Sequence, residues 1–231
     1  MDNADYNELR KFDDLAHRWW DPEGEFRPLH DINPIRLEYI ERHTSMVGKQ
    51  VVDVGCGGGI LAEGMAARGA EVTGIDMAAQ VIAVAKQHAE DAQLAIDYRV
   101  QAAESLAAEA AGQFDIVTCM ELLEHVPDPR PTIAALATLA KPGGHVFLST
   151  INRTPKAFML AIVGAEYILR LLPRGTHDYA KLIRPAELDH WCRDAHLTAQ
   201  AITGMAYNPI LKTPRLTKSI DVNYLMYARR D

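Results

Sequence analysis

The stretch Val51-Val52-Asp53-Val54-Gly55-Cys56-Gly57-Gly58-Gly59 constrains the fold more than any other part of this chain. It is a short apolar strand that ends in an acid and a cluster of glycines, and Ile60-Leu61-Ala62 then opens a helical pattern. Glycine lets the backbone turn sharply and lets a ligand approach without meeting a Cβ. The helix start beyond it offers N–H groups that have no partner inside the helix, suited to a polar or anionic ligand. In α/β folds such a strand–loop–helix unit receives a nucleotide-like ligand at the carboxyl end of the first strand.

Spacing narrows the ligand. A dinucleotide fingerprint reads G-x-G-x-x-G, and its third glycine serves close helix–strand packing. Gly55 and Gly57 fit that form, but Ile60 holds the third place. What fits instead is acid-x-Gly-x-Gly-x-Gly, carried by Asp53, Gly55, Gly57 and Gly59. A second strand, Glu71-Val72-Thr73-Gly74-Ile75, ends at Asp76, 21 residues after Gly55. An acid at that offset can accept hydrogen bonds from both hydroxyls of a ribose. Taken singly, the glycines also fit an ordinary tight turn, and Asp76 a helix N-cap.

From residue 51 onward, strands alternate with helices. Strands are predicted near 51–54, 71–75, 96–100, 114–119 and 144–150, and helices near 59–68, 78–92, 103–110 and 130–140. This alternation predicts an α/β fold with a doubly wound, mostly parallel sheet and right-handed crossovers. Lys141-Pro142-Gly143-Gly144 reads as a turn that ends a helix and launches a strand. A helix over 185–196 and a strand pair at 198–207 and 221–228, read as a hairpin, bring the sheet to seven strands. Ahead of the core, residues 5–18 have helical spacing (Leu9, Phe12, Leu15, Ala16). Trp19 to Phe26 reads as a loop with much aromatic surface, and Asn33-Pro34 opens a second helix that Gly48-Lys49 closes. The chain thus divides into an N-terminal helical cap (1–48), a core (49–151), an insertion after the fifth strand (152–184) and a C-terminal helix with a strand pair (185–231), all in one domain.

The insertion is longer than a βα connection needs. Ala157 to Leu172 is nearly all apolar, with only Gly164, Glu166 and Arg170 dissenting. Sixteen helical residues rise about 24 Å, short of the ~30 Å hydrocarbon core of a bilayer, so a transmembrane span is not predicted. Two readings remain: a buried helix that covers the sheet, or a lid over 156–174 that also touches lipid, with Arg153, Lys156, Arg170 and Arg174 beside its apolar body. A net charge of −7 speaks against nucleic acid as a general partner, since phosphate neutralisation needs a basic face. The acidic, polar start Met1-Asp2-Asn3-Ala4-Asp5 predicts no secretory leader, and Cys56, Cys119 and Cys192, widely spaced without C-x-x-C, suit reduced thiols in the cytoplasm rather than zinc.

Chemistry concentrates after the fourth strand. Phe114 to Cys119 runs into Met120-Glu121-Leu122-Leu123-Glu124-His125, which brings two carboxylates and an imidazole within five residues. In an open α/β sheet, ligands bind just beyond the carboxyl ends of the strands. The trio Glu121, Glu124 and His125 could remove a proton from a hydroxyl, or hold a divalent ion that polarises a phenol oxygen, or merely cap the next helix. Among contacts for a nucleoside-type cofactor, Asp53 can orient the glycine loop or meet an amino group. Met77 can pack on a base, Gln101-Ala102-Ala103 lies where the base edge would fall, and Met120 can touch the far end. Arg36 can pair with a carboxylate if the N-terminal helix folds over the site, and is otherwise a surface arginine.

With those residues in view, the glycine motif, Gly74-Ile75-Asp76 and Lys141-Pro142-Gly143-Gly144 resemble the class I S-adenosylmethionine (SAM) methyltransferases. More specific segments resemble the ubiquinone biosynthesis O-methyltransferase family: Arg18 to His30 with Ile32 to Arg36, Cys119 to Asp128, Val163 to Arg170 with Gly175 to Asp178, and Gly204 to Pro209 with Asp221 to Tyr224. The resemblance runs from about residue 8 to 228. It implies SAM as methyl donor, with Arg36, Gly55, Asp76 and Met120 as contacts. It implies two polyprenylated substrates, a 2-polyprenyl-6-hydroxyphenol and 3-demethylubiquinol. It also implies a cytoplasmic protein resting on the anionic inner face of the membrane, beside other ubiquinone-biosynthesis proteins. Rival readings are a nicotinamide oxidoreductase, which Ile60 speaks against, a non-catalytic SAM-binding subunit, a C-methylating quinone enzyme and a soluble catechol O-methyltransferase.

Overall fold

The computed structural model describes residues 3–160, 178–208 and 211–231. The chain begins with α1 (Tyr6–Leu15), a 3-10 turn at Ala16–Arg18 and α2 (Arg27–Glu41). The core then alternates β1 (Gln50–Val54), α3 (Ile60–Ala66), β2 (Glu71–Asp76), α4 (Ala79–Asp91), β3 (Ile96–Val100), α5 (Ala103–Glu109), β4 (Phe114–Met120), α6 (Pro129–Leu139) and β5 (Ala140–Ile151). A single helical turn, α7 (Pro155–Ala157), precedes α8 (Pro185–Asp194), β6 (Leu197–Asn208), β7 (Thr213–Thr217) and β8 (Asn223–Arg230). The strands form one sheet in the order β3-β2-β1-β4-β5-β8-β6-β7.

β1 to β5 pair in parallel, and β8, β6 and β7 continue the sheet antiparallel. Adjacent residues of a strand point to opposite faces, and both faces are covered, so the strands read as apolar runs. Val52, Val117 and Leu148 pack with Leu106 of α5 and Ile133 and Leu136 of α6. Their neighbours Val51, Ile116 and Phe147 pack on the other side with Ile40 of α2, Leu61 of α3 and Ile82 of α4. Because β1 is flanked by β2 on one side and β4 on the other, the strand order reverses there. The crevice of a doubly wound sheet opens at that switch point, beyond the carboxyl ends of β1 and β4.

Several expectations need correction. Among the described residues the sheet has eight strands, because β7 adds itself to the outer edge through antiparallel pairing with β6. Pro214 masks this strand in the sequence, yet an edge strand tolerates a missing N–H. The strands expected as a hairpin do pair antiparallel, Ala201 with Tyr227, but β7 lies between them in the chain. α2 starts at Arg27, six residues before Asn33, and carries Pro34 inside it. Lys141 to Gly144 lies within β5 as an irregularity: the partner of Phe114 is Ala140 and that of Ile116 is already His145. Cys56, Cys119 and Cys192 are free and buried, and burial pushes the Cys192 thiol up to about 12. The apolar stretch predicted as a lid lies largely outside the described residues. Its described edge, Phe158, Met159 and Leu160, is exposed, and Lys156 pairs with Asp221. Among the described residues no helix is long and apolar enough to cross a membrane.

Candidate active site

The glycine loop follows β1 and turns under a tight cover. Gly57 has φ +53° and Gly59, which precedes α3, has φ +89°. A Cβ on Gly57 would run into the Trp19 ring, and one on Gly59 into the Tyr98 hydroxyl. The aromatic segment predicted as surface is therefore part of the site. Trp19 is buried and stacks on Phe26 with centroids 3.9 Å apart. The Trp20 indole N–H donates to the Gly58 carbonyl at 2.9 Å, and its ring stacks on His88 at 3.4 Å. His88 in turn meets Glu63 of α3 at 2.8 Å. The cap grips the loop by these contacts.

Asp76, at the end of β2, ties two backbone segments together. One carboxylate oxygen accepts from the Gly57 N–H at 3.0 Å and the other from the Ala78 N–H at 2.9 Å. A carboxylate has about four acceptor positions, so each oxygen keeps capacity for a further donor. Burial pushes this carboxyl up, against the pull of its backbone donors. Asp53 is buried within β1 and accepts from the Thr118 hydroxyl at 2.6 Å. Burial, offset in part by Thr118 and Arg36, raises it to about 6.

Arg36 is not a surface arginine. It is 4% exposed on α2, and its Nη2 lies 3.3 Å from a carboxylate oxygen of Glu121. Among the described residues neither Nε nor Nη2 has a hydrogen-bond acceptor. A buried guanidinium left in this state is costly unless an anion completes its pairing. Glu121 itself stands just past β4 with φ +57°, a conformation that disfavours a side chain, and it is held there by the Ser149 hydroxyl at 2.7 Å.

A cavity of about 600 Å³ opens over these groups. Arg36, Asp53, Gly55, Gly57, Asp76, Met77, Met120, Glu121 and His125 line it, as do Gln101, Ala102 and Ala103. Glu124 does not. It is buried, accepts from the Thr150 hydroxyl at 2.8 Å, and is pushed up by burial and then by the Glu121 charge. Glu121, Glu124 and His125 thus turn to three different partners, and among the described residues no set of three His, Cys, Asp or Glu side chains is placed to hold a metal ion.

His125 faces a residue that sequence reasoning missed. Its Nδ1 lies 3.1 Å from a carboxylate oxygen of Glu8 on α1, and the Phe12 ring meets the imidazole edge-on. Burial alone would lower the His125 pKa, but Glu8 above all, then Glu124 and Glu121, raise it. The same contact holds the Glu8 carboxyl down at about 2. A signal was present: Glu8, Phe12 and Leu15 follow helical spacing, so Glu8 is an acid within the apolar stripe of α1. Phe12, Leu29, Ile32, Met205 and Val222 give the cavity an apolar wall.

Comparison with known proteins bears on the family and the fold. Residues 10–202 match the methyltransferase domain family. The chain is 59% identical over 231 residues to the ubiquinone biosynthesis O-methyltransferase of Stutzerimonas stutzeri, covering 100% of both chains. It is 57% identical to the protein of that description from Azoarcus sp., covering 99% of this chain and 98% of the relative. Among solved structures, the magnesium protoporphyrin IX methyltransferase of Synechocystis PCC 6803 shares the fold, with a TM-score of 0.68, 20% identity and coverage of 98% and 94%.

Proposed function

Since the chain belongs to the ubiquinone biosynthesis O-methyltransferase family, we propose that it transfers a methyl group from SAM to a phenolic oxygen of polyprenylated intermediates, a 2-polyprenyl-6-hydroxyphenol and 3-demethylubiquinol. The observation that carries the reading is one cavity that joins a buried guanidinium with two nitrogens that lack hydrogen-bond acceptors among the described residues, a ribose-type acid and a histidine dyad. Bound SAM supplies a methyl made electrophilic by its sulfonium. The remaining work falls to the chain. Arg36 pairs with the SAM carboxylate, Asp53 meets its ammonium, Asp76 accepts from the ribose hydroxyls, and Met77 and Met120 pack along its body. The glycine loop allows close approach.

On the acceptor side, His125 takes the phenol proton, so that the oxygen attacks the methyl carbon as a phenolate. The carbon–sulfur bond breaks as the carbon–oxygen bond forms, and the imidazolium later releases its proton to water. The apolar wall aligns the ring and excludes water, which shortens the list of competing attackers. Glu121 anchors Arg36 rather than acting on the phenol. A polyprenyl tail keeps the substrate in a bilayer, and the stretch 156–174, with Lys156, Arg170 and Arg174 beside apolar residues, would meet an anionic surface. The exposed Phe158, Met159 and Leu160 support that face. The protein on this reading is cytoplasmic, works at the inner face of the membrane, and has other ubiquinone-biosynthesis proteins as neighbours.

The test is complementation of a bacterial strain that lacks its own ubiquinone O-methyltransferase. The wild-type chain should restore ubiquinone, and Asp76→Ala at equal protein level should not. Accumulation of the unmethylated phenol in the presence of well-folded wild-type protein would overturn the proposal.

A further inference from the structure

Asn223 is a polar member of a largely apolar wall: Ile32, Ile151, Met205 and Val222 line the same cavity. It opens β8 and pairs in register with Ile151 at the end of β5. Its Oδ1 is buried and has no hydrogen-bond partner among the described residues. A carboxamide carries an acceptor oxygen and two N–H donors, and turning it over exchanges their places. Left unpaired in such a wall, it weakens the fold unless a ligand completes it.

The sheet fixes what Asn223 can reach. Side chains alternate between faces along a strand. Leu225 and Tyr227 of β8 pack on the side of α2 and α3, with Val51 of β1, Ile116 and Met120 of β4 and Phe147 of β5. Asp53, Ile151 and Asn223 stand an even number of residues from these and share that face. Since the strands run β2-β1-β4-β5-β8, Asp76, Asp53, Met120, Ile151 and Asn223 follow one another across the cavity. Strands lie about 4.8 Å apart, which sets Asn223 about 10 Å beyond Met120 and about 19 Å beyond Asp76. The cofactor occupies β2 to β4 on the proposed reading, and the span from β4 to β8 is left for an aromatic ring. Loop contacts hold Asn223 in place: the Asn152 N–H donates to the Val222 carbonyl at 2.8 Å, its Nδ2 to the Ile220 carbonyl at 2.8 Å, and the Thr154 hydroxyl to the Asp221 carbonyl at 2.6 Å.

We propose that Asn223 is a specificity residue for the acceptor: its carboxamide hydrogen-bonds a ring oxygen of the phenol other than the one that receives the methyl. The inference rests on methyl transfer to a dihydric phenol, and it holds whichever group takes the proton. A site built to pair a hydroxyl rejects the analogue that lacks it, because its own polar group is then left unpaired. Asn223 thereby separates dihydric from monohydric rings, which an apolar wall alone does poorly.

Calorimetry on the full chain tests this, with S-adenosylhomocysteine bound to prevent turnover and magnesium present. The ligands are a short-chain 2-prenyl-6-hydroxyphenol and the two monohydric analogues that each lack one of its hydroxyls. Wild type should bind the dihydric ligand at least about 10-fold more tightly than one of the analogues, the size of one hydrogen bond completed in a buried site. Asn223→Leu, close in shape but apolar, should weaken the dihydric ligand about 10-fold and that analogue by less than about 2-fold. Affinity for S-adenosylhomocysteine should not change, because the cofactor contacts lie on other strands. Asn223→Ala repeats the comparison where the leucine side chain disturbs β8. Equal affinity of wild type for all three ligands overturns the Asn223 role alone. So does equal weakening of all three, or weakening of none, in variants that keep their cofactor affinity. Failure of wild type to bind any of the three overturns the methyl-acceptor reading, and the Asn223 role with it.

Discussion

Arg36 offers the sharpest test of how the cofactor is held. Its guanidinium is buried, touches Glu121 at 3.3 Å, and leaves Nε and Nη2 without acceptors. Arg36→Met keeps most of the volume and removes the charge. Glu121 is not orphaned by the change, since Ser149 still donates to it at 2.7 Å. Hydrogen bonds to charged groups contribute about 1.5–3 kcal/mol each, and truncating one partner of a buried charge pair costs about 2–5 kcal/mol. A loss of about 3 kcal/mol in SAM binding is therefore expected, which is about 100-fold in Kd. The control is 5′-methylthioadenosine, which keeps the adenosine and sulfur but lacks the carboxylate. Calorimetry should show Arg36→Met weakening SAM about 100-fold and leaving methylthioadenosine within about 3-fold of wild type. Equal weakening of both ligands would refute the pairing and reduce Arg36 to a packing role.

Three further outcomes follow from the same structure. Burial raises the Asp53 carboxyl to about 6, so between about pH 4 and 6 the folded chain binds more protons at this group than the unfolded chain, and cofactor-free stability should fall as pH rises through that window. SAM affinity should rise over the same window, because an ammonium ligand favours the carboxylate; denaturant melts and titrations of Asp53→Asn should lose both slopes, and retained slopes would exclude Asp53 as their source. Gly59→Ala, at φ +89° and against Tyr98, should lower Tm by about 4–8 °C if strain and contact together cost about 2 kcal/mol, whereas an unchanged Tm would mean that the loop relaxes freely. Flotation with anionic vesicles should weaken as salt rises and when Arg170 and Arg174 become Glu, at about 1 kcal/mol per basic residue; equal flotation of wild type and double variant would reject the lipid-facing reading of 156–174.

What the sequence made legible was local. A strand, its glycines and the next acid lie within 26 residues (51–76), and each position carries a residue type with a narrow physical use. Strand–helix alternation likewise reports on neighbours in the chain. The misses share another cause. Trp19 reads as surface until it is known to press on Gly57, and Glu8 reads as a helix charge until His125 is placed beside it. Both contacts join segments far apart in sequence, and periodicity holds no information about them. β7 was hidden because Pro214 argues against a strand unless the strand is at an edge, and edge position is a property of the finished sheet. Pro34 misled in a similar way: proline marks a helix start more often than an interior, yet α2 runs through it. Glu124 stood beside His125 in a motif rich in acids, but only the fold shows its carboxylate turned to Thr150 and away from the cavity.

The most direct measurement is transfer of a labelled methyl. The purified chain, SAM carrying a ¹³C methyl, and a short-chain 3-demethylubiquinol or 2-polyprenyl-6-hydroxyphenol are combined with magnesium present, and the product is read by mass and carbon NMR. The account predicts one added methyl per acceptor, bonded to oxygen, with loss of turnover in His125→Ala while that variant still binds SAM. A methyl bonded to ring carbon, or no product from protein that binds SAM normally, would contradict it.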